Sequence, residues 1–566
     1  MTLTTTEILP PSLPRGRSNL VLTGFSGAGK TTVGRAVADR LGLPFVDLDE
    51  VVATRAAMPV EQIFERGGEA GFRSLERVAL ADAAKLSACV VATGGGAFTN
   101  QEDFARLADG SVVVVLHCEL EETERRLARS HPRPLLQVGR TQGLEALMGE
   151  RSAAYAELGA VVETTGRDVG AVATEVAGLY HASQPPGPAA IRVSDGQISY
   201  PVLVGRSALL GLGASLAAEI PAASRVVLIA DSKVADSAGA AAAAALSRQG
   251  LKVARLAVPA GEAAKRIEVV AWLWQRLAGL AADRHDVVVA VGGGGALDAI
   301  GFAAATFARG LPLVNVPTTL LAMADAAIGG KVAIDHAGTK NSVGSFHQPR
   351  LVIADPEVLR TLPDEILRQG MAEILKSGIL GSPLMLELSR QYLGDDGHRD
   401  WTWLVEQTVR IKGGYVAADS ADLGPRQALN LGHTFAHGLE AASDYTLSHG
   451  EAVAVGLVAA ADLGHRLGMS PGPLSSELAE LLAAFGLPCR LPPGLDPARI
   501  RRAIAGDKKR RAGRAVFVIP RREGGAHLVA GLDTDWALRS LWNGAAVEAA
   551  AVDDGVSPEH LREGWA

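Results

Sequence analysis

Three histidines, His433, His437 and His449, stand in the stretch NLGHTFAHGLEAASDYTLSHGE from Asn430 to Glu451, in otherwise apolar, alanine-rich surroundings. His433 and His437 are spaced i, i+4 and so share one face of a helix. Neutral imidazoles together with a carboxylate make a metal site that keeps one position open for chemistry. Polar helix residues facing solvent or bonded in a core show the same spacing. The third histidine, which follows a turn and opens another helix with Gly450 and Glu451, shifts the reading toward metal. A second constellation lies near the other end of the chain. Gly24-Phe-Ser-Gly-Ala-Gly-Lys-Thr31 is a complete GxxxxGKT loop between an apolar strand and a helix-like run. In such a loop main-chain N–H groups wrap phosphate, Lys30 reaches the outer phosphates and the Thr31 hydroxyl holds Mg2+.

An acceptor side follows the loop. Asp47 and Asp49, at i, i+2 of the strand-like FVDLD, are expected to point the same way. One carboxylate then organises Mg2+ while the other takes a proton from an alcohol. Arg73 with Glu76, the run Gly94-Gly95-Gly96, Arg133 and Arg151 with Tyr155 come next. Singly these are surface charges and turns; together they describe a small-molecule kinase with an anionic acceptor.

Further along, Val287 to Val291 reads as a buried strand that runs into Gly292-Gly-Gly-Gly295, with Asp298 in the next helix. That pattern is a dinucleotide-type phosphate turn, although it is not GxGxxG, and a plain strand-to-helix turn has the same look. Thr318 and Thr319 end the following strand. Lys331 and Lys340 sit beside glycines within ten residues, which suits a phosphate or carboxylate pocket. Glu373 and Lys376, one helical turn apart among apolar neighbours, read as a buried acid and base.

The elements that must position these groups alternate strand and helix in two blocks. At 566 residues the chain is too long for one core. The expected fold class is α/β: a P-loop kinase domain with a parallel sheet, then a Rossmann-like NAD-binding α/β domain, then a mostly helical metal-binding domain. The expected order is a disordered tail over 1–18, the kinase over 19–182, a linker over 183–190 (SQPPGPAA), the NAD part over 191–355, the helical part over 356–545 and a tail over 546–566. A linker this rich in proline implies two independent modules. The net charge of −7 excludes a nucleic-acid binder that works by bulk charge. Three scattered cysteines, no apolar leader and no run long enough to span a bilayer point to the cytoplasm.

From Asn19 to His181 the motifs GAGKTT, DLD, GGG and RPLL are similar to those of shikimate kinase. The resemblance implies ATP at Gly27, Ala28, Gly29, Lys30, Thr31 and Thr32, with Arg126 and Arg133 beside it. It implies Mg2+ at Thr31 and Asp47, and shikimate at Asp49, Arg73, Gly95 and Arg151, with Asp49 meeting the acceptor hydroxyl. From Ile191 to Trp542 the chain resembles 3-dehydroquinate synthase, through GEAAK, PTTLLA, IGGK, KN, MAEILK, NLGHTFAHGLE, HGEAVAVG and GDKK. That resemblance implies Zn2+ or Co2+ on Glu373, His433 and His449, with His437 a pocket residue. It places NAD+ at Asp231, Glu262, Lys265, Gly293, Gly294, Gly295, Ala296, Leu297, Asp298, Thr318, Thr319, Lys331, Lys340 and Thr361. Leu297 stands where the family usually has glycine. Asp325, Asn341, Lys412, Arg426, Asn430 and Lys508 would surround a heptulosonate phosphate. Arg309 would reach a neighbouring subunit's phosphate, which implies a homodimer. The alternatives are a metal-dependent alcohol or glycerol dehydrogenase behind a non-catalytic nucleotide module or another small-molecule kinase.

Overall fold

A computed structural model describes residues 3–128, 142–185, 187–223, 225–393, 400–506, 510–511 and 514–543. Arg133, Lys508 and the expected tail over 546–566 lie outside them. The described residues fall into two compact units, one of residues 7–429 with 521–527 and one of residues 430–520 and 528–543 with the first residues of the chain.

In the larger unit the first block folds as the strand–helix alternation requires. Short apolar runs become the five-stranded parallel sheet Phe45–Asp47, Val90–Ala92, Leu20–Thr23, Val112–His117 and Ala160–Glu163, in that spatial order. The inner strands Leu20–Thr23 and Val90–Ala92 are buried throughout and apolar but for Thr23, whereas the edge strand Ala160–Glu163 is mostly exposed. The helices Lys30–Leu41 and Val169–Ala182 close one side, with Val33, Val37, Val172 and Val176 in the core. The second block forms a seven-stranded sheet, Lys252–Val258, Arg225–Asp231, Val287–Gly292, Leu313–Pro317, Leu351–Ala354, Ser199–Val204 and Ala189–Ser194. It is parallel except for its last pair, a hairpin-like pairing of Ala189–Ser194 on Ser199–Val204. The linker therefore ends where that edge strand begins, at Ala189.

Two expectations change. Residues 4–8, placed in a disordered tail, form the strand Thr4–Ile8. Residues 11–14 then run along the helix Thr402–Ala418, where Gly413 and Gly414 leave room: a Cβ on Gly414 would lie 2.9 Å from the Ser12 carbonyl oxygen. A polar, proline-rich composition looks disordered by itself, but here the main chain finds a strand partner and a glycine groove. The boundary drawn at 356 is also not where the compact units divide. The helices Asp364–Gly381 and Thr402–Ala418 belong to the larger unit, where Thr402–Ala418 packs on the edge strand Ala189–Ser194 and on Asp364–Gly381.

The smaller unit is built on the helices His433–Ala442, His449–Arg466, Leu474–Ala484, Pro497–Gly506 and Thr534–Asn543. Ser448 caps His449–Arg466 in a full capping box with Glu451, which fixes where that helix starts. Among the described residues no helix is long and apolar enough to cross a membrane.

Candidate active sites

At the first phosphate turn Gly27 and Gly29 take φ of 87° and 94°, a region a side chain on the backbone disfavours. Lys30 is buried and donates to the carbonyls of Gly24 and Phe25 at 2.8 and 3.0 Å, which bends it along the loop. Thr31 Oγ1 donates to Asp47 Oδ2 at 2.6 Å, so the two residues expected at Mg2+ do meet. The strand stops at Asp47, however, and Asp49 sits in the first turn of the helix Leu48–Ala56. The i, i+2 strand geometry is thus replaced by a cap, with Asp47 accepting from the main-chain N–H of Asp49 at 3.0 Å. Asp49 instead faces Gly94, where a Cβ would lie 2.8 Å from its carboxylate and 2.7 Å from that of Glu76. Arg73 donates to Glu76 at 2.6 Å and passes over Gly96. Burial pushes the Glu76 carboxyl up despite that arginine. Arg151 and Tyr155 both donate to the Gly95 carbonyl, at 3.0 and 2.6 Å. Arg126 reaches from the far side to the carbonyl of Thr164 at 2.8 Å and lies beside Gly27 and Ala28. Thr164, which itself donates to the Ala28 carbonyl at 3.2 Å, carried no signal in the sequence.

The second phosphate turn joins the strand Val287–Gly292 to the helix Gly294–Thr306. A Cβ on Gly295 would stand 2.6 Å from the Gly261 carbonyl oxygen, so this glycine lets the turn Gly261–Ala264 approach. That turn brings Glu262 and then Lys265, whose ammonium donates to Asp298 at 2.7 Å and also touches Asn341. Burial pushes Asp298 up to about 6, against the pull of Lys265. Asp231 ends its strand and accepts from the N–H groups of Lys233 and Gly261, at 2.9 and 3.2 Å. Leu297 is buried in the first turn of the helix, its N–H bonded to the Gly293 carbonyl at 3.0 Å, so its side chain packs in the core. Ala296 is buried beside it, and a Cβ on Gly294 would meet Ala326 at 3.2 Å. Thr318 N–H bonds the Gly292 carbonyl at 2.9 Å and Thr319 borders Gly293. Thr361 is exposed at the end of the turn Pro356–Thr361.

Lys331 and Lys340 do not form one cluster. They lie on the antiparallel strands Lys331–His336 and Thr339–Phe346, with Lys331 opposite Phe346 and Thr339 opposite His336. The register separates them by about four residues, on the order of 13 Å. Lys331 pairs with Asp422 at 2.5 Å, while Lys340 precedes Asn341 at the second phosphate turn. Lys412 donates to the Asp325 carboxylate at 2.6 Å, and burial lowers its pKa. Asp325 itself sits in a single π-helical turn, Ala322–Ala326, a device common at functional sites. Arg426 is fully buried and donates to the carbonyls of Gly329 and Ser420, at 2.7 and 3.0 Å. Tyr200, which the sequence did not flag, accepts the Gly329 N–H at 3.0 Å. Glu373 and Lys376 are buried as an ion pair. Arg309, with φ of 66°, lines a 490 Å3 crevice together with Arg284, Arg350 and His347.

In the smaller unit the ring centroid of His433 lies 5.7 Å from that of His437 and 5.4 Å from that of His449. Nδ1 of His433 faces the Leu431 carbonyl at 3.1 Å, which turns Nε2 to the other side of the ring. Nδ1 of His449 lies 3.5 Å from the Glu440 carboxylate. An outer carbonyl or carboxylate behind an imidazole is the usual support of a ligating histidine, and the donor types suit a borderline-soft divalent ion. Asn430 immediately precedes this cluster.

Two parallel α/β sheets with a phosphate turn apiece, followed by a histidine-bearing helical unit, define a two-module nucleotide enzyme. Residues 26–179 match the shikimate kinase family model. Residues 255–369 and 370–510 match the N-terminal and C-terminal models of 3-dehydroquinate synthase. The 3-dehydroquinate synthase of Symbiobacterium thermophilum is 41% identical over 353 residues, 61% of this chain and 99% of the relative. That of Xanthomonas campestris pv. campestris is 41% identical over 368 residues, 63% of this chain and 99% of the relative. The solved structure of ValA, the 2-epi-5-epi-valiolone synthase of Streptomyces hygroscopicus subsp. jinggangensis with NAD+ and Zn2+ bound, is 28% identical. It covers 62% of this chain and 97% of its own, with a TM-score of 0.56. The chain belongs to the 3-dehydroquinate synthase family, with a shikimate kinase joined ahead of it. It therefore carries two enzymatic activities.

Proposed function

We propose that the first site phosphorylates shikimate with ATP and that the second converts 3-deoxy-D-arabino-heptulosonate 7-phosphate to 3-dehydroquinate and phosphate. The loop Gly27, Ala28, Gly29, Lys30, Thr31 and Thr32 cradles the ATP phosphates, with Arg126 behind it. Arg133 carries the same role by family resemblance. Thr31 and Asp47 hold Mg2+. Asp49 accepts the proton of the acceptor hydroxyl, while Arg73, Gly95 and Arg151 orient shikimate. The single observation that best supports the kinase reading is that Thr31 meets Asp47 while Asp49 faces Gly94 beside Glu76.

In the synthase, Asp231, Glu262, Lys265, Gly293 to Asp298, Thr318, Thr319 and Thr361 bind NAD+. Glu373, His433 and His449 are the ligands of Zn2+ or Co2+. When bound, NAD+ supplies a hydride acceptor that is restored within the cycle, and the metal supplies Lewis acidity at the carbinol oxygen. Lys331, Lys340, Lys412, Arg426 and Lys508 hold the substrate's anionic groups, and Lys331 and Lys340 also offset charge as phosphate leaves. Asp325, Asn341, Asn430 and His437 complete the pocket. Arg309 reaches a second subunit, making the enzyme a homodimer. Cys89, Cys118 and Cys489 are free thiols, in keeping with a reducing cytoplasm. The test is direct. The purified chain should release phosphate from the seven-carbon keto-acid phosphate when given NAD+ and metal. It should separately form ADP from ATP when given shikimate. Failure of either reaction removes that half of the reading.

A further inference from the structure

The helix Thr402–Ala418 carries a stripe of large polar groups, Trp403, Glu406, Gln407 and Arg410, at the i, i+3, i+4, i+7 spacing of one helical face. All four are buried, Glu406 completely. Polar side chains of this size are not buried without partners. Their partners are in the kinase module and in the segment that precedes it. The carbonyl of Ser87 accepts from Trp403 Nε1 and from Gln407 Nε2, both at 3.0 Å, and its N–H donates to Gln407 Oε1 at 3.1 Å. Ser87 Oγ donates to Glu406 at 3.1 Å. Arg17 donates to the same carboxylate from its main chain at 2.9 Å and from its side chain at 2.8 Å. Arg410 donates to the carbonyls of Lys85 at 3.0 Å and Pro14 at 2.9 Å. Gly16 is pinned among these groups: a Cβ there would fall 2.5 Å from Ser87 Oγ, 2.6 Å from Glu406 and 2.8 Å from Arg410. Next to Ser87, Ala88 takes φ of 52°, an unusual conformation for a residue with a side chain. The same helix carries Lys412, two residues beyond Arg410 and so turned to the far side, where it bonds Asp325.

We propose that Glu406, Gln407 and Arg410 are positioning residues for the synthase reaction. Seated on Ser87 and Arg17, they fix the axial placement of this helix and hence the reach of Lys412 to substrate. The inference rests on the reading of Lys412 as a substrate-contacting residue. A ladder of directional bonds along one face sets a helix's position far more sharply than apolar packing does, and a displacement of about 1 Å at a binding group is costly.

The test uses the full-length chain with NAD+ and metal at saturation. Glu406→Gln and Arg17→Met each keep roughly the shape of the side chain and remove the ion pair. Gly16→Val wedges the junction apart. Loss of a contact made equally in ground and transition states raises KM and spares kcat. We expect KM for the keto-acid phosphate to rise about tenfold in all three variants with kcat nearly kept, and kinase kcat/KM to change less than about twofold. A merely structural role would lower kcat in proportion to the enzyme lost and leave KM alone. Lys412→Met separates the two levels. If it raises KM while the three junction variants do not, the positioning inference is overturned and the reading of Lys412 stands. If Lys412→Met leaves KM unchanged, both fall. Should one junction variant fail to fold, the remaining two decide the question.

Discussion

The loop Gly24–Thr31 and the turn Gly292–Gly295 each end a buried parallel strand and open a helix, yet their glycines are required for different reasons. In the first, Gly24, Gly27 and Gly29 have φ of 138°, 87° and 94°, so the backbone itself is what glycine permits. In the second, none of the four glycines has a positive φ. Gly295 is there because the Gly261 carbonyl presses against it, and Gly292 because a Cβ would stand 2.9 Å from that of Asp231. One turn curls by its own backbone conformation and carries its own lysine, Lys30, on the carbonyls of Gly24 and Phe25. The other brings a second turn close, and its lysine, Lys265, arrives with that turn. A motif that depends on local φ is complete in one short stretch. A motif that depends on approach is spread over distant stretches.

The largest effect should come from the metal. Chelation, or His449→Ala, is expected to bring the synthase reaction to background, while the kinase keeps its rate once Mg2+ is restored. Dehydroquinate formation by a metal-free preparation would sink the ligand assignment. Next in size is Asp49→Asn, which should retain nucleotide binding and lower kinase turnover by roughly 10²–10⁴, the range for a lost general base. Synthase rates measured on the same preparation should not move. A near-normal kinase rate would take Asp49 out of the chemistry.

The same contrast explains what was readable in advance. The sheets and the P-loop helix follow from short apolar runs and from glycine spacing. The Thr31–Asp47 meeting follows from the order strand, loop, helix, strand. Asp49 was placed on the wrong element, because Asp47 ends its strand by capping the next helix, a choice between two local hydrogen-bond patterns that FVDLD leaves open. Lys331 and Lys340 looked like neighbours in the sequence. A hairpin turns at Ala337-Gly338 and sets them well apart in register, with Lys331 on Asp422 and Lys340 next to Asn341, which meets Lys265. The Ser87 junction was not legible at all. Its partners lie more than three hundred residues apart, and a carbonyl oxygen leaves no mark on composition.

Paired glycine substitutions sharpen the comparison at a smaller scale. Gly29→Ala should strain the loop and Gly295→Ala should push back Gly261–Ala264, each by about 1–3 kcal/mol. Measured by calorimetry, Gly29→Ala should weaken ADP binding and leave NAD+ binding intact, and Gly295→Ala should do the reverse. Weakening of both ligands by either variant would mean general destabilisation, and the distinction between wrapping and approach would fail.

The smallest effect is expected from a cut in the linker. The composition Pro185-Pro-Gly-Pro188 implies free modules, each active alone. The junction argues otherwise, because releasing the kinase would uncover Trp403, and an indole buries roughly 150–250 Å2, about 4–6 kcal/mol at 25 cal/mol per Å2. Residues 11–14 also remain on the kinase piece and still run along Gly413 and Gly414. A protease site placed between Gln184 and Gly187 should therefore yield a nicked protein that elutes as one particle, with both kcat/KM values within about twofold of the uncut chain. The separately expressed synthase piece, 187–566, should be less stable than the nicked complex and should regain stability when the kinase piece is added. Two independent peaks after nicking, each as stable as before, would show that the proline-rich linker is all that joins the modules.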